Sequence, residues 1–156
     1  MGDFFSLIYR LNLYGEQLYH HLHGWDDATN SFIAANDRFP AIFLYTIGFA
    51  VLTMVMFYFI VNHPRQNKLL HWLISLAVTA LFGYLFGYNI VAYDIYNSNI
   101  ATSLAPYISS SNAIMFGVYN AVICMLWFFI FSVIFRRWSR NCKHIPFKLI
   151  STSKSK

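Results

Sequence analysis

Charge is what this sequence has least of. Asp, Glu, Lys and Arg make up only 11% of its 156 residues, where a soluble domain carries about 25%. Cysteine is nearly absent as well, with Cys124 and Cys142 the two present. If helix ran between them they would stand roughly 27 Å apart, far beyond a disulfide. A disulfide framework is therefore excluded. Also missing are a glycine-rich nucleotide loop, an HExxH pair and a nucleophile motif. No repeat of 20–50 residues, coiled-coil heptad or low-complexity tract appears. These absences leave no room for a soluble enzyme domain, and the expectation is that the chain is not an enzyme and needs no cofactor.

What remains is apolar and aromatic. Hydrophobic residues supply 58% of the chain and aromatic ones 20%, with 16 Phe, 11 Tyr and 4 Trp. Three uncharged or nearly uncharged stretches stand out, at about 41–61, 69–93 and 113–135. As helices they would reach roughly 32, 37 and 34 Å, enough to cross a hydrocarbon core of about 30 Å. As buried helices of a soluble protein they would need amphipathic partners, and too few residues are left to supply them. The fold class expected is an all-α integral membrane protein with three transmembrane helices.

The organisation follows from these stretches. Residues 1–39 form an N-terminal arm, 40–136 the three-helix domain, and 137–156 a basic tail. The first apolar run starts some way in and has an acidic flank, unlike a cleavable signal peptide. In the arm, Phe4, Ile8, Leu11, Leu18 and Leu22 recur at helical spacing, with Arg10, Gln17 and His21 on another face. That pattern predicts an amphipathic helix lying in the membrane interface, interrupted at Gly15. The stretch 24–32 reads as a turn, with Asp27 or Thr29 as a helix cap, and Pro40 suits the first turn of the first span.

The charges that exist are sorted. The acids are Asp3, Glu16, Asp26, Asp27, Asp37 and Asp94, all in the arm or after the second stretch. Arg10 and Arg38 share that side. Arg65 and Lys68 fall between the first two stretches, and the remaining bases follow the third. Lys and Arg in short loops stay cytoplasmic, so the arm is expected outside and the tail inside. Arg136, Arg137, Arg140 and Lys143 are then candidate contacts for lipid headgroups. The same basicity marks a membrane face rather than a nucleic-acid site. A multi-pass protein of a plasma or inner membrane, in preference to an organelle, is the expected location.

Inside the spans, small and polar residues carry the remaining information. Thr79, Gly83 and Gly87 follow one another at four-residue steps, a spacing that lets membrane helices approach closely. Ala113, Gly117 and Ala121 form a matching row on the third span. Pairing of these rows within one chain is the plain expectation, and pairing between copies the bolder one. Thr46, Asn89 and Asn120 fall at similar depths, each beside a tyrosine, and suggest a polar layer of mutual hydrogen bonds. His20, His23 and Asp27 are the one cluster that resembles metal ligands. Three such groups within eight residues would need a fourth from elsewhere, and interfacial histidines are the preferred reading.

The expected partners are the lipid bilayer and either further copies of the chain or other membrane proteins, with no nucleic acid. A structural or assembly subunit of a membrane complex leads. An oligomeric channel is the alternative, its lining drawn from Thr46, Thr53, Asn89, Asn120 and Ser132.

Overall fold

The computed structural model describes residues 2–10, 13–60 and 69–138. Three helices dominate, and each is long and apolar enough to cross a membrane. They are α3 (Phe39–Val55), continued by a π-helical turn over Met56–Ile60, α4 (Leu69–Tyr96) and α5 (Ser110–Phe135). Before them come α1 (Gly2–Ile8) and α2 (Glu16–Leu22), then a two-stranded ribbon of β1 (Trp25–Asp26) and β2 (Ser31–Phe32). A short 3-10 turn, Arg136–Trp138, follows α5.

Local chemistry sets the boundaries. Pro40 occupies the first turn of α3, where its missing N–H costs nothing. Just before α3, Asp37 Oδ1 accepts the Phe39 N–H at 3.0 Å; the short 3-10 turn leading to Pro40, Ala34–Asn36, starts from Ile33, so neither Asp27 nor Thr29 caps it. Ser109 and Asn112 form a reciprocal capping box at the start of α5. Compared with the hydropathy pattern, α4 runs on past Asp94 and α5 begins earlier. Gly24 ends α2 at φ +89°, and a Cβ there would meet the Ile33 carbonyl oxygen at 2.6 Å.

The arm departs from its expected face. Leu18 and Leu22 are buried, but so is His21, while Phe4 is exposed; Leu11 lies outside the described residues. Two tyrosines between the short helices, Tyr9 and Tyr14, are almost fully enclosed. Phe5 packs on Phe43 of α3, and Tyr9 stacks on Phe39. The arm thus enters the bundle, because its aromatic content fills the space above the start of α3 between α4 and α5. The Tyr9 hydroxyl reaches Asn120, which lies about 15 Å along α5 from its first residue.

Candidate functional site: a polar core beneath an ionic cluster

Helices α4 and α5 approach each other closely along their backbones. A Cβ added to Gly83 would lie 2.8 Å from Cys124 Cβ and 3.1 Å from Ala121 Cα. One on Gly87 would lie 3.0 Å from Asn120 Cβ and 3.2 Å from Gly117 Cα. One on Gly117 would meet the Tyr84 ring and carbonyl at 3.0 Å. The close approach uses all three glycines, most strictly Gly83, where a Cβ would come within 3.0 Å of a neighbouring helix. Ala113 and Ala121 are buried on the same side of α5. Thr79 leaves the row: its hydroxyl pairs with Thr53 of α3 at 2.7 Å. The four-residue step drifts around the helix by about 40°, which turns Thr79 from one neighbour to the other.

Close approach puts Asn120 at the centre of three helices and the arm. Its Nδ2 donates to the Gly83 carbonyl at 2.8 Å, and its Oδ1 accepts the Tyr9 hydroxyl at 3.0 Å. The Thr46 hydroxyl lies 2.9 Å from the same Oδ1 and 2.7 Å from the Ile42 carbonyl, so one proton serves two acceptors. Tyr119 donates to the Ile8 carbonyl at 2.5 Å, and Asn112 donates to the Tyr14 carbonyl at 2.7 Å. Tyr14 in turn donates to the Tyr9 carbonyl. Burial pushes the Tyr9 and Tyr14 phenols well above their ordinary range, so both remain neutral donors. Asn89 does not join this core. It is exposed, and its amide donates to the Leu85 carbonyl of its own helix at 2.6 Å. The layer expected from Thr46, Asn89 and Asn120 loses that member because α4 turns Asn89 away from α5.

Above the polar core lies an ionic cluster. The Asp94 side chain is 1% exposed. Its Oδ2 accepts from Arg38 and stands 3.1 Å from His21 Nε2. Its Oδ1 has no hydrogen-bond partner. Arg38 comes from the start of α3, His21 from α2 and Asp94 from the end of α4, so three elements converge on one carboxylate. A carboxylate so enclosed persists only with such partners. Sequence reasoning treated Asp94 as a flanking acid. The signal was present: Gly83, Gly87, Val91 and Asp94 share one buried face of α4, at the spacing of a helix stripe.

The metal candidates disperse. His20 faces Glu16 at 3.8 Å, and His23 Nδ1 stands 3.6 Å from Asp37 Oδ2. Asp27 instead clamps the chain before α5, accepting the Thr102 hydroxyl at 2.9 Å and the Ser103 N–H at 3.0 Å. The Ser103 hydroxyl also bonds to it. These bonds, chiefly those from Ser103, hold its carboxyl down at about 2. Among the described residues no three His, Cys, Asp or Glu side chains gather as metal ligands. Arg136 and Arg137 sit in the turn that ends α5, while Arg140 and Lys143 lie outside the described residues.

No protein-family model, curated protein or solved structure matches the chain.

Proposed function

We propose that the chain is a structural subunit of a membrane assembly, built from further copies of itself or from other membrane proteins. One observation supports this above the rest: polar groups of the three spans are spent on one another inside a single chain. Asn120 bonds to Thr46, Tyr9 and Gly83, Thr53 pairs with Thr79, and the Trp72 indole donates to Ser132 at 3.3 Å. Large apolar side chains such as Leu73, Leu81, Leu126 and Ile134 face outward. Such a molecule acts through its surfaces. The channel reading would draw its lining from Thr46, Thr53, Asn89, Asn120 and Ser132; Asn89 is exposed and bonds to its own helix, and the other four side chains are already bonded to other parts of the chain.

The arm is placed outside and the tail inside, supported by the sorting of Lys and Arg. Exposed Phe4, Leu7 and Leu13 of the arm then face the outer leaflet. Arg136, Arg137, Arg140 and Lys143 meet headgroups at the inner face, in a plasma or inner membrane. Cysteine introduced at Ser31, with native cysteines removed, should react with an impermeant reagent on intact cells, and cysteine at Ser151 should not.

The deciding experiment is purification in mild detergent with particle sizing and identification of co-purifying proteins. An assembly larger than one chain is expected, with no ion flux after reconstitution. Reproducible single-channel currents altered by Asn120→Leu would replace this reading with the channel. A lone chain with no partner would remove both.

A further inference from the structure

The least covered of the three described spans is α4: 17% of its apolar stretch is buried, against 39% and 33% for the other two. Leu81, Leu85 and Tyr93 face outward there, and Asn89 is exposed among them. An asparagine side chain carries two N–H donors and a carbonyl acceptor. One donor serves the Leu85 carbonyl at 2.6 Å. The second donor and Oδ1 have no partner among the described residues.

Depth makes that spare capacity costly. The 28 residues of α4 reach about 42 Å, against a hydrocarbon core of about 30 Å. Centred on that core, the helix projects about 6 Å at each end. Asn89 lies about 10 Å along the helix from its last residue, Tyr96, and so falls within hydrocarbon. Lipid tails offer neither donor nor acceptor. A polar group on another helix does.

Three features single out a second copy of this chain as the source of that helix. An amide is donor and acceptor at once, so two identical amides answer each other with a reciprocal pair of bonds. Copies inserted in the same orientation carry Asn89 at the same depth, and a two-fold axis along the membrane normal joins the pair with no change of register. The exposed residues of α4 carry no charge, so a copy meets no like charge and a charged partner finds no counter-ion.

We infer that α4 makes a parallel contact with α4 of a second copy, Asn89 bonding to its counterpart across the two-fold axis with Leu85 packed beside it. This contact rests on the assembly proposed above and names the surface that makes it.

The test is Förster transfer between donor- and acceptor-labelled full chains in lipid bilayers, diluted with lipid to read the Kd of the pair. Self-association of the wild type is expected. Asn89→Leu removes two interhelical bonds of about 0.6 kcal/mol each and should weaken it roughly five- to tenfold. Asn89→Gln keeps the amide and should stay close to wild type. Among the described residues Asn89 bonds only to its own helix, so Asn89→Leu should leave the circular dichroism unchanged. Cross-linking locates the contact. With both native cysteines replaced by alanine and an oxidant added, Leu85→Cys should give a disulfide-linked dimer. Leu126→Cys, on the outward face of α5, should not. Unchanged affinity in Asn89→Leu, or cross-linking through Leu126→Cys and not Leu85→Cys, would overturn this inference and leave the assembly standing. Monomers at every dilution would overturn it together with assembly from copies. Loss of a different co-purifying protein on Asn89→Leu, with no transfer between copies, would overturn it by giving the face to that protein.

Discussion

At the arm end of the bundle, four segments are tied by named polar bonds. Tyr9, Tyr119 and Asn112 bond across between the arm and α5, Tyr14 ties the arm to itself, Asn120 joins α3, α4 and the arm, and Asp94 gathers α2, α3 and α4. At the opposite end the cluster is Ala50, Met54, Phe57, Tyr58, Trp72, Cys124 and Phe128. Its span-to-span polar links include Thr53 with Thr79 and Trp72 with Ser132. There α3 loosens into a π-helical turn, and an apolar groove of about 400 Å³ opens between Leu52, Met56, Val78 and Phe82. Two physical regimes meet in one bundle. A dense set of directional bonds fixes geometry at one end, whereas packing shape with fewer such bonds among the described residues fixes it at the other. Membrane helices gain little from expelling water from apolar faces, so the arm end is expected to define the helix register and the other end to yield first.

The sharpest way to break this comparison is at the crossing of α4 and α5, just beside the polar core. Gly83→Ile should destabilise the bundle by about 3 kcal/mol or more, because even its Cβ meets Cys124 and Ala121. Gly48→Ala should be nearly silent, since nothing lies within 4 Å of a Cβ there. Thermal unfolding in detergent compares the two, and equal melting would remove the close approach from the explanation.

Next in size is the contrast between the two polar links. Asn120→Leu strands the Tyr9 hydroxyl and removes three bonds, worth about 2 kcal/mol together, whereas Thr53→Val removes one interhelical bond worth about 0.6 kcal/mol. Hydrogen exchange should show the first opening residues 4–9 and the second leaving them protected. Equal effects at both sites would mean that the arm end holds no special share of the stability.

The smallest expected effect is local and depends on pH. Asp27 has its pKa lowered from 3.8 to about 2. Its clamp therefore contributes in full above the ordinary value, weakens below it, and is lost as pH falls through about 2. Asp27→Asn should give the same loosening of residues 98–103 at neutral pH. Exchange of the Ser103 amide is the measure, and a rate unchanged in the variant would show that the clamp holds nothing.

Much of this was legible in the sequence, and the misses share a cause. The spans follow from composition and length, and the glycine spacing marks the crossing of α4 and α5. Depth alone singled out Thr46 and Asn120. Asn120's partner Tyr9 could not be read, because the two lie 111 positions apart and no local pattern links them. Asn89 was misread because depth says nothing of rotation about the helix axis. Asp94 was passed over because orientation rules count Lys and Arg and treat acids as bystanders. His21 was assigned to a wet face for the same reason: nothing nearby in sequence announces a carboxylate 73 positions away.

The long separations have a consequence for how the molecule is made. Tyr9 and Ile8 leave the ribosome well before their partners Asn120 and Tyr119, which lie 111 positions later. No native partner for the Tyr9 hydroxyl exists until α5 has been synthesised and has settled against α4. Contacts of such long range form late and slowly. The arm, made before the spans, is thus placed after them, and its docking records that all three have arrived.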